Sequence, residues 1–221
     1  MKPMDLAGWL ESAWADYQCG WSAVDDELYV LCARRGHNRS EDVYAKVAVI
    51  NRVYAAGLSR SVRVSGSEDP ELLVATSLVE SRDMIASGLA GIDATGRLSG
   101  ELLRPILDLH GRVQTALEKR TGRRLTSFVS KYLHFHSPVA PIYDSLVWRA
   151  IGEVTRDLFG KATRAATPAW AVGRGDEYYR SYCTRFLAIA ELAQRSGVDV
   201  SVKMLDHALW SLGRKLARRG S

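Results

Sequence analysis

Cysteine is scarce. The 221-residue chain holds three, Cys19, Cys32 and Cys183, and no two stand at CxxC spacing. That excludes a structural zinc site, an iron–sulfur cluster and a disulfide framework, and leaves the three as small hydrophobes suited to a core. Long apolar runs are also missing, and none approaches the length of a membrane span. The opening "MKPMDLAGWLESAW" has one lysine and early acids, unlike a signal peptide, so a cytoplasmic protein is expected. Strand-like alternation is nearly absent: "RSVRVSGS" (Arg60 to Ser67) is the single short candidate. Internal repeats and low-complexity stretches are lacking as well.

What the chain does have is helical periodicity. Val43, Val47, Ile50 and Tyr54 fall on one stripe, and Leu102, Ile106, Leu109, Val113 and Leu117 on another. Tyr179, Tyr182, Phe186, Ile189 and Ala193 repeat the pattern, followed by Val202, Leu205, Leu209, Leu212 and Leu216. Spacings of three and four over several turns predict amphipathic helices on a common core. Ser40 before "EDVYAKV", and Asp69-Pro70-Glu71, read as helix starts. Gly57, Gly88, Gly100, Gly122 and Gly197 read as stops. The expectation is an all-α fold of eight or nine helices in one domain spanning residues 1–221, with looser loops near 88–99 and 160–176. Two intimately packed lobes with a cleft near 110–150 are the variant of that reading.

Hydrophobic residues make up 47% and charged residues 25%, ordinary for a globular chain. The net charge of +5 hides a split: residues 1–110 carry −5 and residues 111–221 carry +10. The densest positive stretch is "GRVQTALEKRTGRRLTSFVSK", with Arg112, Lys119, Arg120, Arg123, Arg124 and Lys131 against Glu118 alone. Such a face suits a polyanion, nucleic acid first among them.

The stretch "SKYLHFHSPVAPIYDSLVWRAI" (Ser130 to Ile151) sets a lysine, two histidines and an aspartate in apolar company. Thr126-Ser127 can cap a short helix from Phe128, putting Lys131 in its first turns. Pro138 and Pro141 force the next backbone to be extended. The chain re-enters a helix near Ser145, so Asp144 falls at the N-cap, where a carboxylate accepts backbone N–H bonds and meets the positive helix end. Lysine and aspartate, separated by a few extended residues, are placed to face one cleft.

This Lys–Pro–Asp element resembles the helix-hairpin-helix DNA glycosylases, such as endonuclease III and the 8-oxoguanine glycosylases. In that family a lysine opens a hydrophobic helix, and a proline-containing segment then delivers an aspartate before the next helix. The resemblance covers roughly residues 40–155 and lacks the four-cysteine cluster of the endonuclease III branch. It implies Asp144 as the carboxylate that stabilises a sugar cation and Lys131 as the amine that forms a Schiff base. It also implies double-stranded DNA as partner, a monomer, and no metal or other cofactor. "AKVAVINRVYAAGLSR" (Ala45 to Arg60) resembles the helix from which these enzymes insert a polar side chain, which would be Asn51 with Arg52 beside it. On this reading Arg112, Lys119, Arg120, Arg123 and Arg124 grip phosphates, and Tyr132, His134, Phe135, His136, Tyr143 and Trp148 line a base pocket.

Three other readings are available. His134 and His136, with His110 and Asp144, invite a metal, but residues two apart on a helix point about 200° away from each other. "RPILDLH" (Arg104 to His110) has the arginine-to-histidine spacing of an all-α toxin-type ribonuclease, with Pro105 where that motif is polar. A non-catalytic DNA-binding protein would need only the basic face and a structural Lys131–Asp144 pair.

Overall fold

The computed structural model describes residues 5–62, 69–159 and 167–219. Among these every element is a helix. In chain order they are α1 (Leu6–Gln18), α2 (Trp21–Arg34), α3 (Ser40–Val53), α4 (Leu58–Ser61), α5 (Pro70–Glu80) and α6 (Arg82–Ala90). Then come α7 (Gly100–Thr121), α8 (Thr126–His136), α9 (Ser145–Phe159), α10 (Glu177–Arg195) and α11 (Val202–Arg219). The all-α expectation holds, with eleven helices among the described residues instead of eight or nine. The surplus includes the four-residue α4 and the α5–α6 break at Ser81, both too short or too subtle to register in a 3.6-residue period. Of the strand candidate, Arg60 and Ser61 belong to α4, and residues 63–67 lie outside the described set.

Helix ends follow local chemistry. Asp69 caps α5 by accepting from the Glu71 N–H at 2.8 Å, with Pro70 at the first helical position. The Ser99 hydroxyl accepts from Leu102 N–H, and Gly122 ends α7 in the left-handed region at φ 64°. Two glycine stops need correction: Gly88 lies inside α6, where it packs against Leu109, and Gly100 opens α7 instead of closing a helix. Pro105 therefore falls within α7 and not in its first turn. Ser40 begins α3 without a side-chain cap, and Thr126 is already helical with Leu125 as the cap residue.

One apolar cluster runs from Leu6 in α1 to Leu209 in α11 and draws on every long helix. Its centre is α8, where Phe128, Val129, Tyr132, Leu133 and Phe135 are all buried. Around this axis α2, α3, α7 and α10 pack, while α11 lies across α9 and α1. Gly213 makes the α11–α9 approach possible: a Cβ there would stand inside van der Waals distance of the Leu146 carbonyl oxygen. That contact brings the polar side of α11 over the N-terminus of α9.

Candidate active site

The connector between α8 and α9 is extended, and buried hydroxyls hold it. Ser130 accepts from the Tyr143 N–H at 2.9 Å, and Tyr179 donates to the Pro141 carbonyl at 2.7 Å. Tyr182 donates to the Ile142 carbonyl, and His134 Nδ1 bonds the Ala140 carbonyl at 2.8 Å. The two prolines supply the extended geometry and these side chains satisfy the backbone that it leaves unpaired. Asp144 is the N-cap of α9, its Oδ1 accepting from Leu146 N–H at 2.8 Å.

Lys131 and Asp144 meet. Lys131 Nζ stands 3.3 Å from Asp144 Oδ2 and also donates to the Tyr54 carbonyl at 2.9 Å and the Ser127 hydroxyl at 3.0 Å. Burial is nearly complete for the lysine side chain, at 1% exposure, while Asp144 keeps 25%. Burial lowers the Lys131 pKa, and the charges of Asp144 and Asp206 work against that shift. No arginine is among the causes of the shift.

Both side chains line a cavity of about 210 Å³. Its walls are mostly aromatic: Tyr17, Trp21, Tyr54 and Trp210, with the Trp21 and Trp210 rings edge-on at 5.5 Å. Asp25, Lys203, Asp206 and His207 line it as well. Asp25, fully buried, accepts from Tyr17 at 2.9 Å and from Tyr54, and pairs with Lys203 at 2.6 Å. Lys203 also donates to the Tyr54 hydroxyl at 2.9 Å. Asp206, one helical turn on, has no hydrogen-bond partner on Oδ1. Burial pushes its carboxyl up to about 7, with Asp144 and Asp25 adding to the rise and Lys203 and Lys131 opposing it. His207 closes one side and bonds Asp16 at 3.2 Å.

None of the six residues expected to form a base pocket lines this cavity. Tyr132, His134 and Phe135 are core residues of α8. His136 bonds Lys46 at 3.1 Å and the Tyr132 carbonyl at 2.7 Å. Tyr143 and Trp148 border a separate cleft with Tyr178. The reason lies in the connector: side chains alternate along extended chain, so Ile142 and Asp144 face the cavity and Tyr143 faces away. The walls come instead from α1, α2, α3 and α11, distant in sequence. One signal existed for them: "VKMLDHALW" places Lys203 and Asp206 three apart within an apolar stripe, with a tryptophan four further on.

Asn51 is not placed for insertion into DNA. It is buried, donates to Glu71 at 2.8 Å and accepts from the Leu58 N–H at 3.1 Å, tying α3 to α4 and α5. Arg52 is exposed and lies 3.6 Å from Glu71. Arg112, Lys119, Arg120, Arg123 and Arg124 are all exposed at the C-terminal part of α7 and the turn into α8. Arg124 pairs with Asp176 at 3.5 Å and lies over the Tyr178 ring. With Arg112 and Lys119 it borders an open groove that also holds Asp108, Glu118, Asp176 and Glu177. The cluster does not line the Lys131 cavity, but Arg124 stands two residues before the start of α8, the helix that carries Lys131.

His110 is enclosed, stacked on Tyr179 at 4.0 Å with Nε2 at 3.3 Å from the Thr126 carbonyl. Arg104 pairs with Glu101 at 3.1 Å on the outer face of α7. The two therefore do not form the exposed acid–base pair a ribonuclease requires. Among the described residues no group of three or more His, Cys, Asp or Glu is arranged to hold a metal ion, and no helix is long and apolar enough to cross a membrane. No protein-family model matches the chain, no curated protein matches it in sequence, and no solved structure matches it in fold.

Proposed function

We propose that the protein is a DNA glycosylase that removes a damaged or modified base, using Lys131 and Asp144. The observation that carries the reading is their 3.3 Å approach at the wall of one aromatic cavity. Cleaving an N-glycosidic bond builds positive charge on the deoxyribose, and the Asp144 carboxylate is the group to stabilise it. Burial favours the neutral amine of Lys131, the form that attacks the anomeric carbon to give a Schiff base. A cavity of about 150 Å³ holds a benzene ring, so about 210 Å³ has room for one ring system.

Reaching such a cavity requires the nucleotide to leave the stack, at a cost of a few kcal/mol that a damaged base reduces. Arg112, Lys119, Arg120, Arg123 and Arg124 supply exposed positive charge near the start of α8 for the phosphates. Oxidised guanine, an alkylated purine and a modified pyrimidine all remain within the substrate class.

The test is base release. Duplexes carrying 8-oxoguanine, 3-methyladenine or thymine glycol are incubated with the protein and assayed for abasic sites. Abasic product from one of them, lost in Lys131→Met and Asp144→Asn, is the expected result. Absence of product from all of them, with DNA still bound, would leave the non-catalytic DNA-binding reading in its place.

A further inference from the structure

Resting on that reading, we propose that Asp206 is the proton donor to the departing base. The two carboxyls that matter occupy opposite environments. Asp144 accepts from the Leu146 N–H and from the Lys131 ammonium or amine, so its oxygens are engaged. Asp206 lines the same cavity at 6% exposure, and its Oδ1 has no partner. An unpartnered oxygen at a buried site costs free energy. It is explained if a bound group completes the hydrogen bond.

The chemistry needs such a donor. When the C1′–N bond breaks, its electron pair goes to the base. An anionic base in an enclosure walled by Trp21, Trp210, Tyr17 and Tyr54 is strongly disfavoured. The Asp206 O–H proton passes to the leaving base, which departs neutral, and Asp206 becomes a carboxylate. The Lys131 amine bonds C1′, and the proton it then sheds returns to Asp206. Paired titratable groups set in contrasting surroundings are how one site holds an acid and a base at the same pH.

The groups around Asp206 are consistent with this role. Lys203 on its own helix, Lys131 on α8, Asp144 at α9 and Asp25 on α2 all act on it electrostatically. From α1, Tyr17 faces the cavity, its hydroxyl committed to Asp25, and Asp16 is taken by His207. Burial, the leading influence, keeps the proton on up to about pH 7.

Single-turnover base release from the responsive duplex is compared with borohydride trapping on a duplex that already contains an abasic site. Trapping needs Lys131 but no leaving-group proton. In Asp206→Asn, isosteric and unable to give up a proton, base release should fall about 10²- to 10⁴-fold while trapping changes far less. The ratio of wild-type to Asp206→Asn base release, in which the Lys131 amine is common to both, should decline up to tenfold per pH unit above about pH 7. Base release by Asp206→Asn at the wild-type rate, an equal loss of release and trapping, or a wild-type to Asp206→Asn ratio unchanged from pH 6 to 8.5 overturns the assignment. If the wild-type protein releases no base from any duplex, the glycosylase reading itself fails and takes this role with it.

Discussion

The cavity concentrates charge that protein interiors normally exclude. Two lysines and three aspartates meet within aromatic walls, and each has a different set of partners. Asp144 serves both the α9 cap and Lys131. Asparagine caps a helix as well as aspartate but carries no charge. Asp144→Asn should therefore melt within a few degrees of wild type and still lose base release by about 10²- to 10³-fold, read by calorimetry and single-turnover kinetics. Lys203 differs, because Asp25 is completely buried and Lys203 is its only ion-pair partner among the described residues. Lys203→Met leaves that carboxylate with two tyrosine hydroxyls alone. It should destabilise the fold by about 3–5 kcal/mol in denaturant titration, as expected when one member of a buried pair is removed.

At the scale of elements, the site depends on how α11 lies on α9. Gly213 allows the two backbones to approach at Leu146, two residues beyond Asp144, and the same helix carries Lys203, Asp206 and Trp210. Gly213→Ala should cost about 1–3 kcal/mol by overpacking and also slow base release, because it moves one cavity wall from the other. Thermal melts and kinetics on the same variant check both. The α8–α9 element was the legible part of the chain. Proline placement dictates the extended connector, and the N-cap preference dictates Asp144, so both follow from local rules. Asp25 and Tyr54 did not follow, because they join the site through packing of α2 and α3, which no local spacing encodes. Asn51 misled for a related reason. It sits at the end of a helical stripe, and only the position of Glu71, twenty residues on, reveals a structural bond.

For the whole molecule, four buried or half-buried histidines set the acid limit. His37 and His110 are lowered to about 4, and His134 and His136 to about 3, with burial the leading cause in each. A base whose folded pKa is depressed stabilises the native state above its unfolded value of about 6.5 and loses that contribution as pH falls toward the folded value. Asp206, raised to about 7, acts in the opposite sense between about pH 4 and 7, but it is one group against four. Melting temperature should therefore fall steeply between about pH 6 and 4, and replacing His134 with phenylalanine should make that fall shallower. An equal slope in the variant would show that His134 takes up no proton on unfolding in this range.

Arg112, Lys119, Arg120, Arg123 and Arg124 are exposed on α7 and the turn into α8, the helix that carries Lys131 to the cavity. The most direct test of the account is the position of the covalent link formed when the protein, a damaged-base duplex and borohydride are mixed and the adduct is digested and mapped by mass spectrometry. The account predicts a single modified residue, Lys131, and no adduct in Lys131→Met. An adduct on Lys203 or any other amine, or none from a duplex whose base is released, would contradict the role given to Lys131.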